Sequence, residues 1–146
     1  MKVDLFFSRD IKESYAEIHT NELSDNIQKA ISLLEDESVN SMIAVKKGKD
    51  ITFLKFDEIY MFRVEDKQVK VYTENDNFLV KKALYQIEKM LDSSFIRISK
   101  STIINLDKID RVAPSLKGMM FIMLKNGLKD NMSRKYLPEF KKSLDL

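Results

Sequence analysis

The sequence predicts a mostly β protein with a few short helices, preceded by a small α+β extension. Three observations carry that expectation. From residue 41 onward, apolar side chains recur with a period of two, as in Val69, Val71 and Phe78, Val80. Turn-forming groups punctuate these runs at short intervals: Lys47-Gly48-Lys49-Asp50, Glu65-Asp66-Lys67-Gln68, Asn75-Asp76-Asn77 and Asn126-Gly127. Only residues 82–91 and the tail after Tyr136 break into helical spacing in this part of the chain. An apolar fraction of 44% with three Gly and two Pro is enough to bury a real core. The length of 146 residues suits one domain with a small extension.

In chain order, residues 1–7 place Val3, Leu5 and Phe7 on one face, a strand pattern, and residues 14–19 suggest a second strand. Leu23, Ile27, Ala30, Ile31 and Leu34 then fall at helical spacing, with Asn21 or Ser24 as N-cap. Glu35-Asp36-Glu37-Ser38 reads as the linker that ends this helix, which puts a boundary near residue 40. Units of 1–38 and 41–146 follow. In the second, strands are expected over residues 41–46, 51–56, 59–64, 69–73, 78–80 and 95–98. Leu84, Ile87 and Leu91 share a helical face between the last two of these strands. Further strands are expected over 109–113, 119–124 and 128–132. The last two are joined by Asn126-Gly127, the pair favoured where both turn positions need positive φ. Leu137, Phe140 and Leu144 then share a helical face, with Pro138 acceptable in the first turn.

Charge is distributed unevenly. Residues 1–40 carry four basic and nine acidic side chains, net −5; residues 41–94 carry ten and nine, net +1; residues 95–146 carry eleven and five, net +6. A basic C-terminal segment is an electrostatic footprint for a polyanion. With no Cys, disulfides, thiolate metal sites and Cys nucleophiles are excluded, in keeping with a reducing cytoplasm. Asp4 and Arg9 interrupt the apolar run at Leu5-Phe6-Phe7, unlike a signal peptide. No apolar stretch approaches the roughly 20 residues that cross a bilayer.

Basic and hydroxyl side chains fall between apolar strands in the last third of the chain. Arg134 and Lys135 open a helix, where the helix dipole mildly disfavours cations, so a functional reason is favoured. Lys100 and Lys67 sit at expected turns; contact with DNA and plain solvation are the two readings of each. Arg97 can reach a phosphate or pair with an acid such as Glu58 or Asp110. Ser101 and Ser133 can donate to phosphate or cap local backbone. Lys81-Lys82 can anchor a phosphate or open a solvated helix. Asn105 is expected to fix a turn, Met119, Met120 and Met123 to fill core, and His19 to be structural or exposed. No paired carboxylates, phosphate-cradling Gly loop or nucleophile with a base is present, so no enzyme class, metal, cofactor or small-molecule substrate is expected.

Residues from about 41 to 144 resemble the LytTR-type DNA-binding domain of bacterial transcription regulators. The resemblance runs through Asp57-Glu58-Ile59-Tyr60, the helix with Leu84 and Ile87, Phe95-Ile96-Arg97-Ile98-Ser99-Lys100-Ser101 with Asn105, the Asn126-Gly127 hairpin and Ser133-Arg134-Lys135-Tyr136. It implies a mostly β domain without a helix-turn-helix, presenting loops to successive major grooves of double-stranded DNA, with two copies on paired direct repeats. It also implies base-reading positions at Lys67 with its neighbour Gln68, at Lys100 and at Arg134; Arg97, Ser101 and Lys135 complete the set of candidate DNA contacts. The family's common His-Arg-Ser is Ser99-Lys100-Ser101 here. Lys100 therefore keeps the charge but lacks the planar fork that pairs with guanine O6 and N7, which Arg134 retains.

The residues before 41 are too few for the receiver domain common in this family, so receiver phosphorylation is not expected as the switch. Residues 1–38 look like the extension of stand-alone regulators, some of which are held by a membrane-bound inhibitor protein. A cytoplasmic homodimer on DNA, with such an inhibitor as a further partner, is the expected setting. The competing expectation is a protein-interaction or anti-regulator module that does not bind DNA itself.

Overall fold

The computed structural model describes residues 1–35 and 42–145. The chain divides into two compact units, Met1–Glu37 and Ser38–Leu146. No helix among the described residues is long and apolar enough to cross a membrane.

Among the described residues, the first unit contains one regular element, α1 (Asp25–Glu35). Ser24 caps it: its Oγ accepts from the Ile27 amide at 3.4 Å and its carbonyl from the Gln28 amide at 3.0 Å. The two strands expected within residues 1–19 are absent. Val3, Leu5 and Phe7 alternate as a strand would, but all three are exposed and no ladder forms. Alternation alone does not make a strand; it needs a partner edge and a surface to cover. Among the described residues the extension is thus α-helical with irregular chain, not α+β. Most of the linker expected after Glu35 lies outside the described residues.

Among the described residues, the second unit is built from ten strands, two short α-helices and several single 3-10 turns. Strands β1 (Met42–Lys47), β2 (Asp50–Lys55), β3 (Met61–Glu65), β4 (Gln68–Tyr72), β5 (Asn77–Val80), β6 (Phe95–Ser99) and β7 (Thr102–Asn105) form one antiparallel sheet, in the order β2-β1-β5-β4-β3-β7-β6. Strands β8 (Ile109–Pro114), β9 (Met120–Leu124) and β10 (Lys129–Met132) form a second, ordered β10-β9-β8. Helix α2 (Leu84–Met90) separates β5 from β6, and α3 (Leu137–Ser143) follows β10.

The large sheet has a core on each face. On one, Val45, Phe62, Val69, Val71 and Ile103 pack with Leu84 and Ile87 of α2. Phe95 joins them, its ring centroid 6.0 Å from those of Phe56 and Phe62. On the other, Met61, Ile96, Ile98 and Ile104 pack with Ile122, Leu124 and Met132 of the small sheet and Phe140 of α3. β7, next to the edge strand β6, supplies both cores: Ile103 faces one and Ile104 the other, and all four of its residues are buried. This strand lies outside the expected set, because a segment buried on both faces shows no alternation.

Polar bonds tie the sheets together. Arg63 on β3 reaches the Lys129 carbonyl at 3.3 Å and the Asp130 carboxylate at 3.6 Å, and Thr102 on β7 donates to Asp130 at 2.8 Å. Arg63 also lies 3.6 Å from Glu65, which accepts from the Tyr72 hydroxyl at 2.6 Å and pairs with Lys70 at 3.2 Å. The bond from Tyr72, backed by the two cations, holds the Glu65 carboxyl below its usual range despite partial burial. Burial, then the bond to Glu65, pushes the Tyr72 phenol up to about 12.

Asn126 supplies a further tie, donating from Nδ2 to the Thr73 carbonyl at 2.9 Å. Its turn differs from expectation. Gly127 has φ 88°, but Asn126 is not among the positive-φ residues. The Gly127 amide donates to the Leu124 carbonyl at 2.9 Å and the Leu124 amide to the Leu128 carbonyl at 2.8 Å. That is a three-residue loop with a glycine bulge, the next most common hairpin solution. Asn105 behaves as expected of a turn residue: its Oδ1 accepts from the Asp107 amide at 3.0 Å and its Nδ2 donates to the Ile59 carbonyl at 2.9 Å.

Candidate nucleic-acid interface

Strand register brings three loops to one end of the second unit. β3 and β7 are antiparallel, with Arg63 opposite Thr102, and the Val64 amide donates to the Ser101 carbonyl at 2.8 Å. The β3–β4 turn at Asp66 and Lys67 and the β6–β7 turn at Lys100 and Ser101 therefore project past the same edge. The Ser133 amide donates to the Ile98 carbonyl at 3.0 Å, so Arg134 leaves the small sheet beside the end of β6. Val69 pairs with Val80, which puts Lys81 at this end too. Lys67, Lys81, Lys100 and Arg134 are all exposed. From β5 to β6 this row crosses five strands, a width of roughly 20 Å at about 4.8 Å per strand.

The β3–β4 turn is the chain's double positive-φ hairpin, with Asp66 at φ 51° and Lys67 at φ 63°. Asn-Gly is the usual solution there; Asp-Lys accepts a cost of about 1 kcal/mol or more at the lysine. Strained backbone held by surrounding structure concentrates where function needs a particular side chain. Lys67→Gly is accordingly expected to raise stability by about 1 kcal/mol in urea denaturation while weakening duplex binding. A variant that loses both stability and binding would show that the lysine serves the fold instead.

Arg97 is committed to the protein. Its Nε donates to the Ser99 carbonyl at 3.0 Å, its Nη2 to the Lys100 carbonyl at 2.6 Å, and its Nη1 to Glu88 on α2 at 2.9 Å. The acid it meets is thus Glu88, neither Glu58 nor Asp110. Each of the three guanidinium nitrogens donates to the protein, so Arg97 holds the Lys100 turn in place. Sequence reasoning missed this because Glu88 lies on another element.

Ser101 belongs to the same turn: its amide donates to Ser99 Oγ at 3.2 Å, and the two hydroxyls are 3.3 Å apart. Lys135 lies over the neighbouring Tyr136 ring, 5.6 Å from its centroid. Arg134 Nε donates to the Lys117 carbonyl in the β8–β9 loop, leaving both Nη groups unassigned. At the other end of the row, Lys81 beside Lys46 lowers the pKa of Lys46 by hydrogen bonding and like-charge repulsion.

His19 is exposed beside Glu17 at 3.4 Å, and no cluster of metal-binding side chains occurs among the described residues. The arrangement can hold a polyanion by charge and present a planar fork and three ammonium groups to it.

Residues 49–145 match the family model of the LytTr DNA-binding domain. An uncharacterized HTH-type transcriptional regulator of Staphylococcus aureus (strain NCTC 8325 / PS 47) is 33% identical over 146 residues, covering 100% of this chain and 99% of the relative. The counterpart from strain N315 is 32% identical with the same coverage. Among solved structures, the LytTr DNA-binding domain of a methyl-accepting/DNA response regulator from Bacillus cereus superposes with a TM-score of 0.69 at 25% identity, covering 73% of this chain and 98% of that one. The relatives' name refers to a helix-turn-helix; among the described residues here, strands separate each α-helix from the next.

Proposed function

Because the chain belongs to the LytTr DNA-binding domain family, we propose that it regulates transcription by reading paired direct repeats in double-stranded DNA through major-groove loops. The observation that carries this reading is the convergence of three basic loops on one end of the two-sheet unit. Lys67 and Lys100 stand on constrained turns, and Arg134 follows a strand tied to the large sheet. Exposed lysines supply sequence-independent phosphate attraction, and Arg134 supplies direct readout with its fork. Lys100 adds a point-charge contact. Two copies occupy the repeats, and the acidic N-terminal unit offers the surface for a second copy or for a membrane-bound inhibitor protein. The protein acts in the cytoplasm without enzymatic chemistry.

The test is selection of a duplex from a random pool, followed by fluorescence anisotropy against scrambled DNA across a salt series. Preferential binding whose logarithm falls linearly with log salt, with a slope of about −0.9 per phosphate contact, supports the reading. No preference at any salt sinks it. A second reading, a protein-interaction module, draws on Met42, Ile51 and Phe53, all exposed on the β1–β2 hairpin. Failure of any duplex to be selected would favour it.

A further inference from the structure

Resting on the reading of Arg134 as a base-reading residue, we propose that the loop carrying Lys117 and Gly118 is a specificity brace that holds the Arg134 guanidinium in its reading pose. This loop joins β8 to β9, and Lys117 lies 17 residues before Arg134 in the chain.

Two contacts make the brace. The Lys117 carbonyl accepts the Arg134 Nε proton. The Gly118 backbone lies against the same guanidinium so closely that an added Cβ would stand 3.1 Å from Nε and 3.5 Å from both Cζ and Nη2. The backbone is bent to provide both. Lys117 has φ 59° and ψ 33°, and Gly118 has φ 75°. One left-handed residue is commonplace for glycine; a lysine beside it in the same conformation is uncommon. The Ser115 amide closes the loop by donating to the Met119 carbonyl at 2.8 Å, so the carbonyl is held on a short closed turn.

The chemical consequence follows from the guanidinium's shape. An unbraced arginine spreads over many rotamers and must be ordered when it meets a base. Here Nε is already bonded and one region beside the group is filled by backbone. The end-on pair, Nη1 and Nη2, remains to face guanine O6 and N7 together. The order that bidentate reading requires is thus present before DNA arrives, and it comes from main-chain atoms whose residue types matter only through their conformation.

The test uses the full chain and its selected duplex. Gly118→Ala places a methyl against the guanidinium and is expected to lower the ratio of specific to non-specific affinity about tenfold, with non-specific affinity nearly unchanged. Lys117→Asn keeps the carbonyl and tolerates the left-handed backbone, and is expected to preserve the ratio. In an Arg134→Ala background, Gly118→Ala should have no further effect on it. In the wild-type protein, the Arg134 Nε proton should exchange with solvent more slowly in NMR than those of freely exposed arginines, a readout that requires no variant to fold. An unchanged ratio in Gly118→Ala, an undiminished effect in the Arg134→Ala background, or a rapidly exchanging Nε proton would each overturn the brace. If Arg134→Ala itself leaves the ratio intact, the underlying reading of Arg134 fails; if it collapses the ratio while Gly118→Ala does not, only the brace fails.

Discussion

Arg134→Ala is expected to cost about 1–3 kcal/mol of discrimination, a loss of roughly 5- to 150-fold for the selected duplex. Scrambled DNA should lose little more than one charge accounts for. The asymmetry follows from what the side chain offers. Its Nε is bonded to the Lys117 carbonyl, so the fork at Nη1 and Nη2 is what remains for a base edge. Removing it strips a directional contact that only the correct base pair rewards. Lys100→Ala should behave differently, because an ammonium carries no planar fork: affinity falls on both duplexes and the salt slope shrinks by about one contact. Titrating both variants on both duplexes at fixed salt checks the distinction. Equal losses for Arg134→Ala on both would reduce that residue to a phosphate clamp.

Phe62→Ala is expected to be the most damaging single truncation for the fold, at about 3–5 kcal/mol. Phe62 is fully buried on β3, opposite Val71 on one side and Ile103 on the other. Its ring packs against Phe95 in the core beneath α2. A cavity there cannot collapse without moving three paired strands. Since total stability of such a domain is about 5–15 kcal/mol, urea denaturation should show the midpoint falling sharply. Phe53→Ala is the contrast: that ring is 62% exposed on edge strand β2, and its loss should change stability by no more than about 0.5 kcal/mol. A small effect at Phe62 would mean that the core is not packed around that strand.

The β rhythm of the second unit was legible because most of its strands are half-buried and alternate, and the short helices were legible from Leu84 with Ile87 and from Phe140. What escaped did so for identifiable reasons. β7 carries no alternation because Ile103 and Ile104 serve different cores. Asn126-Gly127 looks like the double positive-φ hairpin, yet the asparagine spends its side chain on the Thr73 carbonyl and only the glycine turns left-handed. The true double turn hides behind Asp66 and Lys67, whose residue types do not advertise it. In residues 1–7 the alternation is real and the strand is not, since pairing depends on a partner edge that local sequence does not reveal. At the candidate site, the basic positions could be named from the chain. Their supports could not, because Glu88 for Arg97 and Gly118 for Arg134 lie on other elements and declare themselves only through contact.

The bonds from Arg63 and Thr102 to Asp130 have a consequence for the DNA as well as for the fold. β3 runs directly into the Lys67 tip and β10 almost directly into Arg134, so under the proposed function the two side chains are jaws of one caliper whose opening is set by strand spacing. A rigid caliper transfers adaptation to the object it measures. An extra base pair between the two contacted positions rotates one of them away by about a tenth of a helical turn, and the duplex must untwist to bring it back. On this reading the internal spacing of each half-site is inherited from the protein's hydrogen bonds, while the bases lying between the jaws are free to vary wherever they leave the twist unchanged.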